Sequence, residues 1–164
     1  MPFCNPCHAG HPSASGAALL WTVLLAVLSG GLLLPAAGND AFADTWDFGD
    51  DLPAEDLRRS NAAATAEADE PDHAGELSHS LWYRWTAAYD ETVVIETAGS
   101  DFDTVLAVYT GNSLAGLAEA ASNDDADVGR TSRLVLQAEG GTTYHIAVDG
   151  FGDDTGLVDL AIRR

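Results

Sequence analysis

Four groups of residues in this chain have the types and spacing to do chemistry. Near the start, Cys4, Cys7 and His8 form C-x-x-C-H, the signature for covalent attachment of a c-type haem. In SDFDT, Asp101 and Asp103 stand two apart at the head of an alternating run, so both carboxylates can face one cation. In SNDDADVG, Asn123, Asp125 and Asp127 alternate like the first three ligands of an EF-hand loop. In SLWYRWT, Trp82 and Arg84 fall on one side of a run with period two, where an aromatic ring beside a guanidinium can stack on a sugar or pack on an extended peptide.

The haem reading fails on its surroundings. From Gly16 to Pro35 the chain carries no charged residue, and the small residues AAG follow before Asn39. An apolar run followed by small residues reads as a secretory signal peptide, residues 1–38, with Ala36 and Gly38 flanking the cleavage site. The stretch before the run has no Lys or Arg, and a run of about 20 apolar residues can also serve as a retained anchor. In either case Cys4, Cys7 and His8 precede the apolar run and stay on the cytoplasmic side, whereas haem is attached after export. Met1 is the only methionine, so no methionine ligand exists either. We expect no haem. With no third cysteine, a zinc site is not expected.

The acidic groups point to calcium, because oxygen-only ligands favour Ca²⁺ over zinc. SNDDADVG is not an EF-hand: Gly129 is seventh, not sixth, and the twelfth position is Leu134. A looser site remains open, sharing oxygens between SDFDT and SNDDADVG. The alternative is turn chemistry, with Asp accepting backbone N–H bonds. Catalysis has little support. There is no HExxH or GxSxG, and GNSLAG has the wrong spacing for a nucleophile elbow. We expect a protein that is not an enzyme. His73, His79 and His145 read as structural residues.

The formal net charge is −19, and every acidic and basic residue lies beyond position 38. All seven basic residues are Arg. Such a surface repels nucleic acid and anionic membranes, so neither is an expected partner once the leader is removed. It suits an exported protein and attracts Ca²⁺.

The elements that must position these residues show in the alternation. Asn39 to Ala74 is polar and predicts loops, one helical turn and one or two edge strands. From Ser78 onward, short alternating runs are divided by turn residues: 79–86, 92–98, 103–110, 132–138, 142–150 and 156–164. LAGLAEAAS reads as a loop and a strand. This spacing predicts an all-β sandwich or barrel over residues 39–164. Leu81, Tyr83, Trp85, Val93, Ile95, Leu134, Leu136, Tyr144, Ile146, Val148, Val158, Leu160 and Ile162 should face inward. Trp82, Arg84, Arg133, Gln137, His145, Asp149 and Asp159 belong to the opposite, more polar faces.

PDHAG (71–75), SLWYRWTA (80–87), TVVIET (92–97), GSDFDTVLAVYTG (99–111), ASNDD (121–125) and GTTYHIAVDGFG (141–152) occur in this order. The chain from Asn39 to the C-terminus resembles the bacterial pre-peptidase C-terminal domain. That resemblance implies an antiparallel, jelly-roll-like sandwich without catalytic function, carried beside secreted proteases and related to collagen-binding domains of clostridial collagenases that bind Ca²⁺. It adds a second metal cluster by position, Asn39, Asp40, Glu70 and Asp72. It implies a secreted accessory module whose partner is an extracellular protein or polysaccharide, or a secreted protease. The alternative is a structural subunit of a surface assembly; a hydrolase ranks last. No protease domain is expected within residues 39–164. Ala98 stands where many relatives carry Cys, so their disulfide is missing.

Overall fold

The computed structural model describes residues 38–53, 56–76, 79–126 and 129–164. The proposed leader with Cys4, Cys7 and His8, and Asp127 of the second acidic loop, lie outside the described residues.

Nine strands form in chain order: β1 Trp46–Asp47, β2 Leu57–Ser60, β3 Leu81–Thr86, β4 Glu91–Glu96, β5 Thr104–Thr110, β6 Ala118–Asn123, β7 Arg133–Ala138, β8 Thr143–Gly150 and β9 Leu157–Arg163. Three 3₁₀ turns, Phe42–Asp44, Leu114–Gly116 and Phe151–Asp153, complete the described elements. The expected boundaries agree to within a residue or two. The polar N-terminal stretch gives one helical turn and two short strands, and LAGLAEAAS gives a 3₁₀ turn followed by β6.

The strands make two sheets, ordered β1-β3-β8-β5-β6 and β2-β9-β4-β7. The pairs β2–β9, β3–β8, β4–β7 and β5–β6 are antiparallel and nest inside one another. They are one long hairpin rolled into two layers, which is a jelly roll. β1 adds to the edge of the first sheet, parallel to β3.

Alternation explains the core. All the residues assigned inward are buried, and the expected inner faces of β3, β4, β7, β8 and β9 meet between the sheets. Trp85 stacks on Tyr144 with ring centroids 5.8 Å apart. Removing each large side chain from water contributes about 1.5–3 kcal/mol.

The outer face of the first sheet differs from expectation. Trp82, on the face read as less buried, has no exposed surface, and with Ala107, Tyr109 and Ala147 it forms a second apolar cluster. Phe42, Leu114 and Leu117 pack over it. His145 and Asp149 are buried there too. The sheet is therefore covered on both sides along part of its length, and β5 and β8 lose their polar face. On the second sheet the expectation stands: Arg133, Val135 and Gln137 of β7 are exposed, and Leu134, Leu136 and Ala138 are buried.

Candidate functional site

Among the described residues, two places that gather polar side chains with unspent capacity stand out. The first is at one end of the sandwich, where β5 begins and β6 passes into β7. Beneath it lies a buried hydroxyl cluster. Thr97 Oγ1 and Thr104 Oγ1 are 2.6 Å apart, and the Ser132 N–H donates to both oxygens. Ser132 Oγ lies 2.5 Å from the Thr104 carbonyl and 2.7 Å from the Asp124 carbonyl. This cluster fixes the β6–β7 loop against the start of β5 and brings three carboxylates together. One oxygen from each of Asp103, Asp124 and Asp125 falls within 4.8 Å of the others.

The electrostatics of that cluster are unfavourable as it stands. Burial pushes the Asp124 carboxyl above its ordinary value, and the neighbouring Asp125, Asp103 and Glu76 push it the same way. Asp124 Oδ1 is shielded from solvent and makes no hydrogen bond among the described residues. Arg130 offsets part of the charge, reaching Asp103 at 3.3 Å and Asp154 at 3.1 Å, but its side chain is largely exposed and screened by solvent. A hard cation with oxygen ligands would relieve the rest.

Of the residues assigned to this site by sequence, Asp103 and Asp125 come together. Asp101 does not join them: its Oδ1 accepts the Leu157 N–H at 2.6 Å, tying the loop to β9. Asn123 Oδ1 accepts the Arg133 N–H at 2.9 Å. Asp124 was missed, because it sits between the alternating positions and the chain leaves strand geometry after Asn123.

The alternative cluster carries other bonds. Asn39 exchanges bonds with Trp82: the Trp82 N–H donates to the Asn39 carbonyl at 2.9 Å, and Asn39 Nδ2 donates to the Trp82 carbonyl at 3.1 Å. Asp40 Oδ1 accepts the Thr65 N–H at 2.6 Å. Asp72 is exposed. Glu70 is the hub of a buried network. Its Oε1 accepts from Ser80 Oγ at 2.5 Å and Trp82 Nε1 at 2.9 Å and lies 3.1 Å from His73 Nε2; its Oε2 accepts the Glu67 N–H at 2.7 Å. His73 Nδ1 then meets Tyr109 Oη at 2.9 Å. Burial alone would raise the Glu70 carboxyl, but the bonds from His73, the Glu67 N–H and Ser80 outweigh it and hold the group below its ordinary value.

The second place is a pocket of about 780 Å³ on the outer face of the first sheet. Arg84, Thr86, Thr143 and His145 come from β3 and β8, Phe42, Asp47 and Glu67 from the N-terminal segments, and Asn112, Ser113 and Leu114 from the turn after β5. Arg84 is where the sequence placed it, on the accessible side, paired with Asp47. Trp82 is not on the pocket surface. Its indole lies under Phe42, edge to face at 5.1 Å. His145 Nε2 is 3.0 Å from the Gly111 carbonyl, and its Nδ1 has no partner among the described residues. Burial holds this imidazole below its ordinary value; Arg84 adds to that, while the Gly111 carbonyl and Asp47 oppose it.

No family model matches the chain, and no curated protein matches it. Among solved structures, the chain is similar to the pre-peptidase C-terminal domain of collagenase from Bacillus anthracis, at 13% sequence identity and a TM-score of 0.48, over 73% of this chain and 94% of that one.

Proposed function

We propose that this protein is an exported, non-catalytic binding module whose loop end takes Ca²⁺ and whose sheet-face pocket contacts an extracellular protein or polysaccharide. The observation that carries the binding reading is the pocket. It sets charged and neutral polar groups beside the apolar Phe42 and Leu114, a lining suited to holding a ligand. The buried Ser80 gives its hydroxyl to Glu70 rather than to an imidazole, and Glu70, His73 and Ser80 are sealed from solvent, so this network favours a structural role over catalysis. The ordered motifs from PDHAG to DGFG support an accessory module of the pre-peptidase C-terminal type, and the apolar leader supports export.

The calcium part rests on Asp103, Asp124 and Asp125 and on the charge burden at Asp124. Three carboxylates supply part of a shell of six to eight oxygens, the remainder being carbonyls and water. A thermal melt with Ca²⁺ against a chelator tests it, because a ligand bound only by the folded state raises the melting temperature by mass action. We expect a rise of several degrees that is lost in Asp124→Asn and Asp125→Ala. A rise that survives both changes but vanishes in Asp72→Ala would move the metal to the N-terminal cluster. No rise in the unaltered protein would remove calcium from the reading.

A further inference from the structure

We infer that the sheet-face pocket is built for a neutral, hydroxyl-rich ligand, a saccharide unit of an uncharged polysaccharide. This rests on the binding-module reading above and names the ligand class for its pocket.

The lining has spare hydrogen-bonding capacity of both kinds. Arg84 spends one N–H on Asp47, and its other donors have no partner among the described residues. Asn112 and Ser113 are exposed, and their side chains make no hydrogen bond among the described residues. Glu67 accepts the Phe42 N–H through Oε2, leaving Oε1 as an acceptor. His145 is 6% exposed, and its Nδ1, shielded from solvent beneath the lining, has no partner among the described residues. Thr86 and Thr143 share one bond, at 2.9 Å, and keep one hydroxyl proton to donate. Donors and acceptors therefore stand side by side. A hydroxyl group, which both gives and accepts, satisfies such a lining without bringing a charge.

Charge narrows the class further. Asp47 and Glu67 place two carboxylates against the single guanidinium of Arg84, on a chain of net charge −19. An anionic ligand meets repulsion from both. Phe42 and Leu114 supply the apolar patch on which the C–H face of a sugar ring packs. The volume, about 780 Å³, lies within the range of small-ligand sites and holds one or two rings.

The test titrates the full chain, as its host processes it, with neutral gluco-, galacto- and chito-oligosaccharides, a polyuronate and gelatin peptides. Calorimetry and amide chemical shifts give the readout. We expect at least one neutral oligosaccharide to bind with shifts at Arg84, Asn112 and His145. Asn112→Ala and Arg84→Gln should each weaken it about tenfold, the loss of one hydrogen bond from a desolvated polar site. Asn112→Ala, at an exposed side chain without partners, should leave the melting temperature unchanged, which separates lost binding from lost folding. Preference for the polyuronate overturns the inference. If the neutral sugars fail and gelatin peptides move the same three residues, the saccharide class falls while the binding-module reading stands. If no probe shifts a pocket residue, both fall.

Discussion

Glu70 shows what a single buried carboxylate does in this fold. It collects bonds from Ser80, Trp82 and a backbone N–H and touches His73, all out of contact with water. A charged acceptor with several donors is worth more than a neutral pair, and removing it leaves those donors unsatisfied. Glu70→Ala should therefore cost about 3–5 kcal/mol in urea unfolding. The pH dependence has a definite sign. The folded carboxyl sits below its ordinary 4.5, so its contribution is complete above that pH and is lost as pH falls through the folded value. His145, held below 6.5, acts in the same direction at higher pH: its contribution is present above 6.5 and declines on acidification. Asp124 acts oppositely, because its raised carboxyl costs stability as pH rises through the folded value. Unfolding free energies of Glu70→Gln should fall less steeply below pH 4.5 than those of the unaltered protein.

At the scale of elements, the strands were legible because one face of each is apolar at period two; β7 keeps that pattern throughout, and β9 keeps it as far as Leu160, after which Ala161 is buried as well. What alternation does not carry is whether the second face is covered. Trp82, His145 and Asp149 occupy positions that read as outward, and segments with no periodicity make them interior: Phe42 packs on Trp82 and His145, Glu70 and His73 close over Trp82, and the His79 N–H bonds Asp149. The acidic site was half legible for a related reason. Period two pairs Asp101 with Asp103, but Asp101 is spent on β9, and the loop that brings Asp124 alongside departs from strand geometry. The end of β8 holds another constraint of this kind. A Cβ built on Gly150 would lie 1.7 Å from the Asp154 carbonyl oxygen, a backbone atom that cannot step aside alone. Gly150→Ala must open the corner between β8 and β9, which also carries the Phe151 N–H to Asp103 carbonyl bond. We expect a loss of at least about 2 kcal/mol by urea unfolding. Val135→Thr, at an exposed position of β7, should change stability by less than about 0.5 kcal/mol.

For the molecule as a whole, the surplus of acid is organised around its arginines. Arg58, Arg84, Arg130, Arg133, Arg163 and Arg164 each meet at least one carboxylate, and Arg59 lies over the ring of Trp46. These contacts are mostly exposed and individually weak, so the packed layers carry the stability. The order in which those layers assemble follows from the nested pairing. β5–β6 closes the shortest stretch of chain, β4–β7 encloses it, β3–β8 encloses both, and β2–β9 joins the outermost strands. Each inner pairing shortens the effective loop that the next must close, so the cheapest route zips from the middle of the chain outward. Folding kinetics should bear this out: Val108→Ala in β5 slows refolding, whereas Leu160→Ala in β9 chiefly speeds unfolding. β9 is also an interior strand of its sheet, between β2 and β4. The second sheet therefore stays in two separate pieces, β2 and the β4–β7 pair, until β9 slots between them and closes the layer.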